Sequence, residues 1–211
     1  MRNIVKRTEP QSLAQHRMAD PTDYEGYRDK DRLRGELVSE QRGICCYCMG
    51  RIHAAIGSTK IEHWQSQANY PDQRLVYSNL LGACPGGEGS SVKHCDSFKG
   101  NRDLSRNPAN RVHDVEAIVR FLPDGRITSC DPIFATELES VLNLNAQVLI
   151  SFRKEALRAF LRTLRIKGTL TQQTWERWLG RLNGEAHHGD LAPYCQVVVY
   201  WIRKKLARNA R

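Results

Sequence analysis

The segment from Cys45 to Lys99 constrains this chain more than any other. It reads Cys45-x2-Cys48, then Ile61-Glu62-His63-Trp64, then Asn79-Leu80-Leu81 and Cys84, and closes on His94-Cys95-Asp96-x2-Lys99. Gly50, Gly57, Pro71, Pro85 and Gly86-Gly87 break the same stretch into hairpin and loop pieces, so a metal would have to organise it. A CxxC turn offers two sulfurs from one tight loop, and a second cysteine pair must complete a tetrahedral site, zinc being the leading ion. Cys84 and Cys95 are the natural closers, although the ten residues from Pro85 to His94 exceed the usual spacing. His94 is an alternative ligand to Cys95. A redox reading of Cys45-x2-Cys48 lacks the βαβ pattern that would surround it. Cys46, Cys130 and Cys195 are expected to remain as free, partly buried thiols.

Seven cysteines form an odd set, and their spacing favours metal over disulfides in a reducing compartment. The start, Met1-Arg2-Asn3-Ile4-Val5-Lys6-Arg7, has no apolar signal core, and no apolar run reaches the roughly 18 residues needed to cross a bilayer. A cytoplasmic protein without membrane contact is expected.

The rest of the chain reads as α+β. Residues 1–22, with Pro10 and Pro21, read as an arm, and apolar spacing predicts a helix from Asp23 to about Gln41 that Gly43 ends. A β-hairpin is expected over Val115 to Thr128 around the turn Asp124-Gly125. Helices follow over about Asn145–Ile166 and Thr171–Leu182, and the apolar run Val197–Trp201 leads into Arg203-Lys204-Lys205. Three segments result: an N-terminal arm and helix (1–44), the cysteine-bracketed core (45–112), and a hairpin with a helical basic region (113–211).

The net charge is +9, yet residues 1–140 hold 19 Lys and Arg against 19 Asp and Glu, while residues 141–211 hold 13 against 4. This excess suggests attraction to a polyanion, most simply nucleic acid, or else a solvated basic face. On the Asn145–Ile166 helix, Lys154, Arg158, Arg162 and Arg165 share one side, opposite an apolar face that includes Leu149, Leu157 and Phe160.

Phosphodiester hydrolysis needs a base to activate water, a cation to take up charge, and a frame for both. Glu62-His63 offers a metal ligand and a base as neighbours. On an extended strand they point to opposite faces, so the backbone must deviate or the carboxylate must reach from the strand edge. Asp96 is either a helix N-cap or a carboxylate ligand for Mg²⁺ or Mn²⁺, and Lys99, one turn on, suits a phosphate.

Cys45-x2-Cys48, Glu62-His63, Asn79, Cys84 and Cys95-Asp96-x2-Lys99-Gly100 together resemble the HNH endonuclease signature with zinc-binding cysteines. The likeness is in particular to the PtuB-type nucleases of the Septu anti-phage system, whose relatives accompany retrons. It extends to Gln41-Arg42-Gly43-Ile44-Cys45, Asn107-Pro108 and Leu142-Asn143-Leu144-Asn145. The resemblance implies a ββα-metal fold in which His63 is the general base, Asn79 holds the hairpin through backbone hydrogen bonds, and Glu62 with Asp96 holds one Mg²⁺ or Mn²⁺. The four cysteines would hold a separate structural zinc. Asp96 stands where the family often has His or Asn, and Glu62 replaces the commoner Asp. The resemblance also implies a PtuA-like ATPase partner, since the chain has no G-x4-GK-[ST] loop, and, in a retron setting, a reverse transcriptase with its RNA and DNA. DNA is the default substrate, with RNA, including tRNA, open. The rival expectation is a non-catalytic zinc module whose basic C-terminal third binds nucleic acid or the ATPase. It explains the cysteines and the charge, but not the acid-histidine pair, Asn79 and Asp96.

Overall fold

The computed structural model describes residues 1–165, 170–185 and 189–209, and within them the chain is α+β. Ile166 and the side chain of Arg165, both assigned above to the basic helix, lie outside the described residues.

The N-terminal segment is docked rather than a loose arm. Met1 and Ile4 are buried in the main apolar cluster, the Ile4 amide donates to Pro108 O at 2.8 Å, and Lys6 pairs with the buried carboxylate of Glu40. The segment also contains helix α1 (Gln11–Ala19), whose one buried residue, Leu13, leaves no stripe for a periodicity reading to find. Helix α2 (Lys30–Glu40) begins later than the expected Asp23. Asp20 and Asp23 accept backbone hydrogen bonds from Thr22, Asp23 and Gly26, and such side-chain turns compete with helix. Two successive left-handed residues, Arg42 and Gly43, end α2 as the glycine predicted.

Strands β1 (Lys60–His63) and β2 (Leu80–Ala83) pair antiparallel, from Lys60↔Ala83 to His63↔Leu80, and α2 packs on them. The single-turn helix α3 (Asp96–Lys99) follows. Further on, Asp114 caps a short helix, α4 (Val115–Ile118), by accepting from the Ala117 amide, so the second hairpin is shorter than expected: β3 (Val119–Phe121) and β4 (Ile127–Ser129). Gly125 turns the hairpin at φ 86°.

Helix α5 (Pro132–Ser140) is capped by Asp131, which accepts from the Ile133 and Phe134 amides, with Pro132 in the first turn. Helices α6 (Gln147–Arg165) and α7 (Gln172–Asn183) lie close to their expected places, and Thr171 caps α7. The last apolar run and the basic tail form one helix, α8 (Cys195–Asn209).

One apolar cluster draws on all three sequence segments, joining Val38, the turn around Tyr47, Leu81, Phe134, Leu149 and Val197. A second cluster gathers where α6, α7 and α8 meet, around Phe160, Trp175 and Ile202. Arg153 on α6 is 1% exposed and donates to Gly125 O at 2.6 Å and Leu144 O at 2.7 Å, tying the helix to the hairpin turn. Among the described residues no helix is long and apolar enough to cross a membrane.

Gln41 binds the CxxC turn to the first sheet. Its amide donates to Ile44 O (3.0 Å) and Gly82 O (2.7 Å) and accepts from the Gly82 amide (2.7 Å), all buried. Gln41→Ala leaves the Gly82 N–H without a partner and should destabilise the fold by about 1–3 kcal/mol in urea denaturation; an unchanged midpoint would show that water replaces the clamp.

Candidate metal centre and the adjoining cleft

The backbone around Cys45 closes a tight turn. Cys45 donates to Gly50 O at 2.9 Å, Met49 donates to Cys45 O at 3.1 Å, and Met49 adopts a left-handed φ of 65°. Cys84 directly follows β2, and Cys95 directly precedes α3 with its amide on Leu142 O at 2.8 Å. The ligand atoms of Cys45, Cys48, Cys84 and Cys95 all lie within 4.8 Å of one another. Cys48 and Cys84 sulfurs are 3.7 Å apart, and those of Cys45 and Cys95 are 4.0 Å apart. A tetrahedron with Zn–S bonds of about 2.3 Å has edges of about 3.8 Å, so this set could hold zinc.

Backbone amides already point at the sulfurs, from Cys84 to Cys45 Sγ and from Gly50 to Cys48 Sγ, both at 3.3 Å. Burial opposes ionisation of Cys45. Hydrogen bonds from the neighbouring thiols, Cys46 and Cys48 before Cys84 and Cys95, outweigh it and hold the Cys45 pKa well below the usual thiol value.

The ten-residue spacer reaches out and returns. His94 donates its amide to Gly86 O at 2.9 Å, and Ser97 Oγ donates to Pro85 O at 2.7 Å. Gly86 has φ 63°, and a Cβ there would lie 2.1 Å from His94 O, so only glycine allows this pinch. His94 Nδ1 sits 3.2 Å from Cys95 Sγ, and the four cysteines complete the group without it. Cys46 and Cys195 are buried and Cys130 is exposed, all outside the group.

Beside this centre lies an open cleft of about 580 Å³ lined by Lys60, Ile61, Glu62 and His63 together with Asp96 on α3. Four consecutive strand residues share one cleft along a strand edge, and among the described residues β1 pairs on one edge alone, with β2. The opposite orientations of Glu62 and His63 are thereby reconciled. Glu62 is 3% exposed and accepts from Tyr47 Oη at 2.7 Å, with Lys99 Nζ at 3.1 Å from the same oxygen. Burial first, and then the hydrogen-bonded Asp96 carboxyl, push the Glu62 pKa well above the usual carboxylate range against the pull of Lys99. Lys60 Nζ lies 3.4 Å from Asp96, 3.5 Å from Glu88 and 2.9 Å from Ser97 Oγ.

His63 packs edge-on against Tyr24, with ring centroids 4.6 Å apart, and its Nε2 is 2.9 Å from Arg74 O. A carbonyl can only accept, so Nε2 carries the proton and Nδ1 the lone pair. Burial lowers the His63 pKa to about 4 and keeps the ring neutral at neutral pH. Asn79, buried at the head of β2, accepts from the Gln65 amide (2.7 Å) and donates to Gln65 O (3.0 Å) and Gln73 O (2.9 Å). It therefore closes the loop between the strands.

Lys99 departs from expectation. It is only 1% exposed, and its Nζ is committed to Glu62 and to His63 O at 3.0 Å rather than presented at the surface for a phosphate. Arg158 and Arg162 are exposed on α6, with Arg162 paired to Glu155 at 2.6 Å, and neither lines the cleft. The sequence reading missed Tyr47, whose hydroxyl only the fold brings to Glu62. It also missed Lys60, which the two-residue period of a strand places on the face of Glu62.

No protein-family model matches this chain, and no curated protein matches it in sequence. The site itself defines a protein with a four-cysteine centre able to hold a structural metal such as zinc.

Purified protein should carry about one zinc per chain. Cys84→Ser should lose most of it together with the folding free energy coupled to it, whereas His94→Ala and Cys130→Ser should keep it. Full zinc retention in Cys84→Ser, measured by elemental analysis, would remove that residue from the centre.

Proposed function

We propose that this chain is a metal-dependent endonuclease of the HNH type that hydrolyses phosphodiester bonds of nucleic acid. The observation that carries the reading is one open cleft lined by Glu62, His63 and Asp96, on a hairpin followed by a short helix, beside the four-cysteine centre.

His63 suits the role of general base, because its Nε2 proton is committed to Arg74 O and its Nδ1 lone pair is free to take a proton from an attacking water. Glu62 and Asp96 form a carboxyl pair whose crowding a cation would relieve, and hard oxygen ligands of this kind fit Mg²⁺ or Mn²⁺. Such a cation, when bound, supplies charge stabilisation at the scissile phosphate and the leaving oxygen. Tyr47 and Lys99 hold Glu62 in place, and Asn79 holds the loop behind His63. Zinc in the cysteine centre would be structural. DNA is the default polymer, as nothing in the cleft singles out a 2′-hydroxyl. The cytoplasmic setting, an ATPase partner and a role in anti-phage defence, Septu-like or within a retron, rest on sequence alone.

His63→Ala should lower cleavage at least about 100-fold while zinc content and folding stay intact; undiminished cleavage discards the mechanism. Glu62→Gln and Asp96→Asn should shift the dependence on Mg²⁺ or Mn²⁺, read as cleavage against cation concentration. Wild-type protein that binds nucleic acid but cuts nothing under any cation, alone or with the ATPase, would instead be the non-catalytic zinc module.

A further inference from the structure

A second groove, of about 390 Å³, lies between α8 and the β3–β4 hairpin. Phe121, Tyr200 and Trp201 supply aromatic walls, and Lys204, Lys205 and Arg208 form one rim. Phe121 meets Tyr200 edge-on, with centroids 5.7 Å apart, which fixes the tyrosine ring, and both Tyr200 and Trp201 stay partly exposed. No carboxylate lines the groove among the described residues. Arg203 on the same helix is paired with Glu116 at 3.2 Å, whereas Lys204, Lys205 and Arg208 are exposed and have no ion pair among the described residues.

These features select the occupant. Cations without acids call for an anion, and partly exposed rings between them call for flat, stackable groups. An amphipathic partner helix would need a broad apolar surface, yet among the described residues Leu122, at 36%, is the one exposed large apolar residue that borders the groove. The volume suits a base with its sugar. A duplex keeps its base faces stacked inside, so the fitting polymer is a single strand. We propose that this groove binds single-stranded nucleic acid, with Tyr200 and Trp201 stacking on bases and Lys204, Lys205 and Arg208 meeting phosphates. The site shares no residue with the cleft and does not depend on the chain's being a nuclease.

The test is fluorescence anisotropy of a labelled oligothymidylate, in the His63→Ala background without added divalent cation so that no cleavage intervenes. Tyr200→Leu should weaken binding about tenfold, and Tyr200→Phe, which keeps the ring, should restore it. Trp201 is left intact because it packs on Phe160 and Trp175. Replacing Lys204, Lys205 and Arg208 together by Gln should lower the slope of log affinity against log salt by about 2. Wild-type affinity and slope in both variants would overturn the proposal, as would loss of binding confined to Arg158→Gln with Arg162→Gln on α6. Displacement of the oligonucleotide by poly-glutamate as readily as by unlabelled oligonucleotide would also overturn it, since the groove would then read charge alone. Cleavage activity is scored separately, so failure of the groove and failure of the nuclease reading give different results.

Discussion

Four cysteine sulfurs held within 4.8 Å of one another couple the elements on which everything else in the site depends. They come from a tight turn, from the residue after β2 and from the residue before α3. Asp96 follows Cys95 directly, and Glu62 sits on the strand that pairs with β2, so the distance between the two carboxyls is set from the metal centre. A metal held by these four cysteines would contribute folding energy as well as geometry. Its position inside the largest apolar cluster makes it continuous with the helical C-terminal region rather than a separate module.

The cleft beside it is an exercise in placing charge where water is scarce. Glu62 stays buried because Tyr47 donates to it and Lys99 faces it, and Lys60 approaches Asp96 from the more open side. Breaking one member of such a set leaves an uncompensated group behind, which makes the network a strong constraint on geometry even where its net stabilisation is small. His63 is handled differently: one backbone carbonyl determines its tautomer, and burial keeps it uncharged.

The basic C-terminal third resolves into cations of unlike kinds. Arg153 is structural and buried, Arg162 and Arg203 are paired with acids, and Lys204, Lys205 and Arg208 border an aromatic groove. Of the exposed cations named here, the ones without an acid beside them among the described residues are those that border the groove proposed above for a single strand.

Features carried by a few neighbouring residues were open to reading from the sequence. The CxxC turn, the acid-histidine pair, the Asp124-Gly125 turn, the glycine end of α2 and the strongly amphipathic α6 and α7 all rest on local conformational preference or helical period. Helix α5 carried a local signal as well, in Asp131-Pro132, which the reading passed over. Helix α1 carried almost none, with a single buried side chain. Other properties arise only when distant segments meet. Return of the ten-residue spacer depends on Gly86 against His94, and Lys99 finds its partners, Glu62 and His63 O, on the distant strand β1. Tyr47 matters through Glu62, and the α8 groove exists because the hairpin packs beside that helix. The sequence by itself determined which groups could do chemistry, since their identities and local turns are written in the chain. Tertiary structure alone decided which of them share a cleft, because burial, ion pairing and proton position are properties of neighbours in space.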